Sequence, residues 1–228
     1  MSFRVAYIVT HPIQYQAPLL KYLAQSGAID LQVYFLSDFS LHDHYESALN
    51  KIFKWDTALT DGYPWEVLPR SFMGPSIPLR RWLPLAGLRR RLRAGKFDAL
   101  WVHGWAHIGL CQAIEAAAAN RIPVLFRGES SLASGQNDLR SRARRLFYQN
   151  WLLPRVAGFL AIGTRNREFY RHHGVNQRRL FDMPYAVDNV LFQRRCAQAR
   201  PQREALRTEL GLAPGRPVIL FAGKLINV

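Results

Sequence analysis

Cysteine is nearly absent from this sequence of 228 residues, and long apolar runs are missing altogether. Its two cysteines, Cys111 and Cys196, have no metal-site spacing and no partners for a disulfide framework, so we expect plain thiols in a reducing compartment. No segment approaches the roughly 18 uninterrupted apolar residues of a membrane span. The first nine residues are too short and wrongly ended for a secretory signal and predict a strand instead. These absences favour a cytoplasmic protein.

Three common nucleotide and hydrolase motifs are also missing. No G-x-G-x-x-G follows the first predicted strand, which removes support for a nicotinamide or flavin dinucleotide site. No G-x-x-x-x-G-K-[ST] occurs, which excludes a phosphate-loop nucleotidase. The absence of G-x-S-x-G argues against an esterase-type hydrolase.

Acidic residues are few relative to basic ones: 16 Asp and Glu stand against 31 Lys and Arg, for a net charge of +15. Such a charge favours encounters with anions, whether nucleic acid, anionic lipid or phosphorylated small molecules. A genome rich in arginine codons would produce the same charge without a functional cause. The aromatic residues stand at core-like positions and no RNA-binding motif is present, so we expect no nucleic-acid partner.

Apolar strand-like runs alternate with helical patterns along most of the chain. Strands are predicted at 3–9, 31–36, 65–68, 97–102, 123–126, 158–162 and 218–222. Helices are predicted at 15–25, 79–94 (broken by Pro84 and Gly87), 108–119, 139–153, 165–172 and 203–210. Strands joined by such helices imply right-handed crossovers, so the fold class is α/β, a Rossmann-like doubly wound parallel sheet.

Polar side chains follow several of these strands, at the edge of the sheet where ligands bind in such folds. The candidates are His11, Gln14 and Tyr15 after the first strand, His103 and Trp105 after the fourth, and Arg127 and Glu129 after the fifth. Their convergence predicts a ligand cleft. Each has a structural alternative: a strand-end histidine bonded to backbone, a helix-entry loop packed on itself, an aromatic cap on a helix, or a local ion pair.

Three segments resemble family 4 glycosyltransferases. Residues 97–105 (FDALWVHGW) resemble the family's PDVVHxHGW segment, residues 184–192 (PYAVDNVLF) its PNGVDxxxF segment, and residues 219–225 (ILFAGKL) its ILFVGRL strand and turn. The resemblance implies a GT-B architecture, in which residues 1–190 form an acceptor-side Rossmann-like domain. Residues 191–215 would be a linker with a short helix, and residues 216–228 the first strand of a truncated donor-binding domain.

The resemblance also implies roles for individual residues in transfer of a sugar from a nucleotide-sugar donor to a glycan or lipid-linked acceptor. His103 matches the family's cleft histidine and is the catalytic candidate, while Gly223 and Lys224 match its donor-binding turn. The residues near the first and fifth strands, with Trp105, are candidates for acceptor binding. Retention of anomeric configuration and independence from metal ions are implied too. The bulky 10–15 turn (THPIQY) departs from the glycine-rich turn of many members, so contact there must come from side chains.

The segment Leu79–Lys96 interleaves arginines with leucines. Such a segment suits the surface of an anionic membrane, and a peripheral position at the inner membrane face is one expectation. An amphipathic helix with a solvated basic face is the alternative. A non-catalytic module that binds anions or membranes is therefore the rival function. The rest of the donor-binding segments would lie beyond Val228, so the chain by itself is expected to be inactive.

Overall fold

The computed structural model describes residues 2–46, 51–53, 55–68, 85–132 and 139–221. Its strands are β1 (Phe3–Val9), β2 (Ile29–Phe35), β3 (His44–Glu46), β4 (Lys51–Phe53), β5 (Trp65–Val67), β6 (Ala99–His103), β7 (Val124–Arg127), β8 (Gly158–Ala161) and β9 (Leu180–Asp182). Its α-helices are α1 (Ala17–Gln25), α2 (Leu88–Gly95), α3 (Ile108–Ala119), α4 (Leu139–Phe147), α5 (Thr164–His172), α6 (Asn189–Ala199) and α7 (Arg203–Glu209). Short 3₁₀ turns occupy Phe39–Leu41, Gln177–Arg179 and Arg200–Gln202, and a π-helical turn spans Tyr148–Leu152.

Seven of the strands form one parallel sheet, in the order β5-β2-β1-β6-β7-β8-β9. The chain moves outward from β1 through β2 to β5, returns to place β6 on the other side of β1, and then continues outward to β9. The strand order therefore reverses between β1 and β6, which is where ligands bind in sheets of this kind. The predicted doubly wound α/β fold is confirmed.

Each face of the sheet is covered by its own apolar core. Ala6 and Ile8 of β1 belong to one core, in which α2, α3, α5 and the π-helical turn pack, while Tyr7 of the same strand belongs to the other, with α1. Alternation along β1 thus sends successive side chains to opposite layers. Every central strand is apolar on both faces because helices cover both.

Several predicted elements differ from those observed. Of the predicted helix 79–94, residues 79–84 lie outside the described residues. Helix α2 begins only after Gly87, whose left-handed φ of +66° is incompatible with a helix that continues through it. The helix predicted at 139–153 gives way to the π-helical turn after Phe147. Strand β9 and helix α6 were not predicted, since β9 buries only Leu180 and α6 buries none of its residues.

The chain divides into two compact units. The larger comprises Met1–His44 and Lys54–Ala186, and the smaller comprises Tyr45–Phe53 and Val187–Val228. In the smaller unit, Asp188 begins α6 by accepting a hydrogen bond from the Leu191 amide at 2.9 Å, which satisfies one of the free N–H groups of the first turn.

The strand predicted at 218–222 is wrong for its described part. Residues 216–221 form no strand, and the side chains of Val218, Ile219, Leu220 and Phe221 are 53%, 98%, 85% and 77% exposed. A strand is held by hydrogen bonds to a neighbouring strand, and none of the described strands pairs with this segment. Gly223 and Lys224 lie outside the described residues.

Candidate active site at the strand reversal

The carboxyl ends of β6 and β7 bring His103 and Arg127 side by side, as directly paired positions of the two strands. Beside them, at the point where the strand order reverses, lies a cleft of about 370 Å³. It is lined by Val9, Thr10, Ile13, Tyr15, His103, Gly104, Trp105, Ala106, Gly128, Glu129 and Ser130. The lining combines aromatic rings, a carboxylate, an imidazole and backbone, a mixture suited to a polar ligand with apolar faces.

His103 is anchored from behind by a buried polar pair. Its Nδ1 lies 2.7 Å from Nε2 of Gln16 and 3.3 Å from the hydroxyl of Tyr7. The Tyr7 hydroxyl in turn donates to Oε1 of Gln16. Tyr7 is fully buried and Gln16 is 2% exposed, so burial raises the pKa of Tyr7 well above its ordinary value and keeps the phenol neutral.

Glu129 lies at the mouth of the cleft and gathers several donors on one carboxylate oxygen. Its Oε1 is 3.3 Å from Nε2 of His103 and 3.4 Å from the hydroxyl of Tyr15, and it also accepts from the hydroxyl of Tyr185. The hydrogen bond with His103 is the largest influence lowering the pKa of Glu129; partial burial opposes it, and the positive charge of Arg127 assists. Glu129 is therefore a carboxylate that accepts hydrogen bonds but holds a proton poorly.

Arg127 lies behind the cleft and does not line it. Its side chain is 1% exposed, and its guanidinium carbon stands 4.5 Å from the centroid of the Tyr185 ring, a cation–π contact. Its Nε and Nη2 atoms have no hydrogen-bond partner among the described residues. Burial lowers the pKa of Arg127, while the nearby carboxylate of Glu129 opposes the shift. Tyr15 packs edge-on against Tyr185 with ring centroids 5.0 Å apart, so Tyr185 contacts both the Tyr15 ring and the Arg127 guanidinium.

Two buried side chains hold the loop that carries Glu129. The Gly128 amide donates to the hydroxyl of Tyr170 at 2.8 Å, and that hydroxyl donates back to the Gly128 carbonyl at 3.2 Å. Asn166, at the start of α5, donates to the Ser130 carbonyl at 2.7 Å and accepts from the Ile162 amide at 3.2 Å. Asn166 thus ties the loops after β7 and β8 together.

The structure brings four of the predicted site residues together at the cleft: Tyr15, His103, Trp105 and Glu129. His11 and Gln14 do not line it. The Nδ1 atom of His11 lies 2.8 Å from Oγ1 of Thr10, and its ring packs on Phe39 with centroids 4.5 Å apart.

Sequence reasoning missed three residues at this site: Tyr7, Gln16 and Tyr185. Tyr7 lies inside an apolar strand, and Gln16 immediately precedes helix α1. The available signal was their polarity at buried positions, since buried hydroxyl and amide groups need partners. Tyr185 lies in the segment 184–192, which resembles a family motif, but that resemblance assigned no role to the tyrosine.

Among the described residues, no group of three or more His, Cys, Asp or Glu side chains is arranged to hold a metal ion. Within the same ranges, no helix combines the length and the apolar character that crossing a bilayer requires.

Comparison with solved structures identifies proteins of the same fold. The structure of Anabaena Alr3699/HepE in complex with UDP and glucose matches with a TM-score of 0.55 at 12% sequence identity, covering 92% of this chain and 50% of that one. The same protein in complex with UDP-glucose matches with a TM-score of 0.56 at 12% identity, covering 91% and 50%. UDP-GlcNAc 2-epimerase from Neisseria meningitidis, bound to UDP-GlcNAc, matches with a TM-score of 0.51 at 16% identity, covering 93% and 54%.

These identities are low enough that the structural matches show the fold alone, and the chain spans about half the length of each of these proteins. No curated protein matches the sequence significantly. The family comparison is more specific: the model of the glycosyl transferase 4-like domain matches residues 17–186, which is more than half of the chain and includes β6, β7 and the cleft residues that follow them, 103–106 and 128–130. The chain therefore belongs to the glycosyl transferase 4-like domain family and has the Rossmann-like fold of one half of a GT-B protein.

Proposed function

We propose that this chain is the acceptor-side domain of a retaining glycosyltransferase that moves a sugar from a nucleoside-diphosphate sugar to a hydroxyl of a glycan or lipid-linked acceptor. The observation that carries the proposal is the pairing of His103 with Glu129 across the cleft at the strand reversal, at 3.3 Å. UDP and UDP-sugars are bound by structural neighbours of this chain, which makes a uridine donor the first to test.

The cleft offers what a sugar hydroxyl needs. Among the described residues, three donors reach Glu129 and all use Oε1. Within those ranges the lone pairs on Oε2 are left for a ligand hydroxyl, and half of the side chain is exposed (51%). Trp105 also lines this cleft as a partly exposed aromatic residue, and we propose that it contacts the C–H surface of the sugar. A carboxylate with a lowered pKa orients such a hydroxyl better than it removes the proton. This favours a mechanism without a strong protein base, as retention implies.

Electrostatic stabilisation of the departing diphosphate is the larger part of the chemistry. We assign that role to Lys224 by family resemblance, together with groups outside this chain. The chain by itself is therefore proposed to bind the acceptor without completing the transfer, and the transfer itself is proposed to need no metal ion. A decisive assay measures transfer from UDP-glucose by this chain and by a chain extended through a second Rossmann-like domain.

Transfer only by the extended chain is expected. In that chain, His103→Ala and Glu129→Gln are expected to lower turnover by about 10²-fold or more, the usual cost of removing one positioned polar group from an active site. Glu168→Gln removes the same charge at an exposed position of α5 and is the matched control. Transfer by the short chain alone would overturn the half-site proposal. No transfer from any nucleotide sugar by the extended chain would overturn the enzyme assignment.

A second proposal concerns an anionic membrane surface at the cytoplasmic face. Helix α2 buries Leu88 and Leu92 and exposes Arg89, Arg90 and Arg93. Helix α4 exposes Arg142, Arg144, Arg145 and the apolar Leu146. The residues that anchor α2 and the turn following α4 belong to the same apolar core, so both basic helices lie on the same side of the sheet.

Vesicle sedimentation tests this second proposal. Each basic residue near an anionic surface is worth about 1 kcal/mol, so reversing Arg89, Arg90 and Arg93 to Glu is expected to weaken binding to vesicles containing phosphatidylserine by at least about 100-fold. Reversing Arg194, Arg200 and Arg216, which are exposed in the smaller unit, is the charge-matched control. Equal effects of the two triple variants, or equal binding to neutral vesicles, would contradict a specific surface.

A further inference from the structure

The two ring nitrogens of His103 face different surroundings. Nε2 faces the cleft and lies 3.3 Å from the carboxylate of Glu129. Nδ1 faces inward, 2.7 Å from the side-chain nitrogen of Gln16, in a region where Gln16 is 2% exposed and Tyr7 fully buried. A neutral imidazole carries one proton, so the inner partners and the outer partner together decide which nitrogen holds it.

The inner partners require Nδ1 to accept. The carbonyl oxygen of the Gln16 amide is already occupied by the hydroxyl of Tyr7, so the end that faces Nδ1 is the NH₂ group, which can only donate. Turning the amide over would place its oxygen against Nδ1 and its NH₂ against the Tyr7 oxygen. The Tyr7 proton would then lose its acceptor, since Nδ1, the other nearby atom, would carry a proton itself.

The outer partner leads to the same assignment independently. An ionised carboxylate only accepts hydrogen bonds, so Glu129 needs a proton on Nε2. With the proton on Nδ1, a bare nitrogen lone pair would face the carboxylate oxygen. Both sides of the ring therefore select the tautomer with the proton on Nε2.

We propose that Gln16 is a positioning residue that holds His103 in its Nε2–H tautomer, so that the imidazole presents a hydrogen-bond donor to the cleft. The Tyr7 hydroxyl fixes the amide orientation on which this depends. The inference deepens the proposed function, and only its consequence for the ligand rests on that function. On ligand binding, an electron-rich oxygen of the sugar or its leaving group would accept the Nε2 proton in place of Glu129. His103 would not take up a proton from the acceptor hydroxyl.

Nitrogen-15 NMR of the imidazole rings tests the assignment directly. The long-range proton–nitrogen pattern distinguishes a protonated from a bare ring nitrogen, and a His103→Gln variant identifies the signals of this ring among those of seven histidines. The unmodified chain is expected to show a proton on Nε2. In Gln16→Glu, a carboxylate that can only accept replaces the amide at Nδ1 while Glu129 still faces Nε2, so a proton is expected on Nδ1 in addition to the one on Nε2.

Tyr7→Phe keeps the ring shape and removes only the hydroxyl that orients the amide, so it serves if Gln16→Glu fails to fold. The loss of one hydrogen bond is expected to move the tautomer ratio toward Nδ1–H by about fivefold. Gln198→Glu makes the same chemical change at an exposed position of α6 and should leave the His103 signals unchanged.

A proton on Nδ1 in the unmodified chain, or an unprotonated Nδ1 in both Gln16→Glu and Tyr7→Phe, would overturn the proposal. The measurement needs no donor, acceptor or second domain. A wrong tautomer assignment would therefore leave the glycosyltransferase proposal standing, and a failure to transfer sugar would leave the tautomer assignment standing.

Discussion

The hydroxyl of Tyr170 holds the loop that places Glu129 at the cleft, and its removal is expected to destabilise the domain measurably. Tyr170 is fully buried on α5, accepts a hydrogen bond from the Gly128 amide at 2.8 Å and donates one to the Gly128 carbonyl at 3.2 Å. Burial raises the pKa of Tyr170 to about 12, so the hydroxyl keeps its proton and can serve both partners at neutral pH.

Tyr170→Phe deletes one oxygen and leaves the ring in place. The ring contacts with Phe126 and Phe159, at centroid distances of 6.4 and 5.2 Å, are retained, so little packing is lost. A buried amide and carbonyl lose their side-chain partner, and an unsatisfied buried polar group costs about 1–3 kcal/mol. We therefore expect the free energy of unfolding to fall by about 1–3 kcal/mol, with a loss of about 2–4 °C in melting temperature for each kcal/mol.

Urea denaturation and amide exchange provide the assay. Tyr22→Phe is the matched control because it removes the same atom from a side chain that is 70% exposed, and a change within about 0.5 kcal/mol is expected there. Faster exchange of the Gly128 amide would locate the effect in the loop. Equal stability of the two variants, with unchanged protection of that amide, would refute the reasoning that a buried hydrogen-bond pair holds the loop.

Two further variants test the chemistry and the backbone of the site. The hydrogen bond with His103 lowers the pKa of Glu129 in the folded state. The carboxylate therefore contributes stability that is present above its unfolded pKa and is lost as the pH falls through the lower folded value. In denaturant titrations across pH, the stability of Glu129→Gln should differ most from that of the parent at neutral pH and match it in acid. Gly104 lines the cleft with a φ of +87°, so Gly104→Ala is expected to lower the free energy of unfolding by about 1–2 kcal/mol. The control is Gly163→Ala, at an extended φ of 170° with open space around it, which should change that free energy by no more than about 0.5 kcal/mol. Equal losses in the two variants would show that strain at position 104 is not the cause.

Much of the larger unit was predictable because its signals are local. Helix α3 begins and ends at the residues predicted, Ile108 and Ala119, because a continuous run of apolar residues rich in alanine, the strongest helix former, specifies it. Parallel strands that end at one edge of a sheet bring their following residues together, so His103 and Glu129 could be expected at one cleft. Helix α6 and strand β9 lacked such signals because burial does not pattern their side chains.

The sequence by itself determined the fold class, the family resemblance and the edge of the sheet at which polar residues gather, because hydrophobic periodicity and the alternation of strands with helices are properties of neighbouring residues. Only the tertiary structure decided which polar groups meet. Tyr7 contacts His103 because β1 and β6 pair in one register, and Tyr185 contacts Glu129 from 56 residues further along the chain. Those contacts depend on distances between strands and loops that no local pattern specifies, and they set the tautomer and charge states proposed for the site.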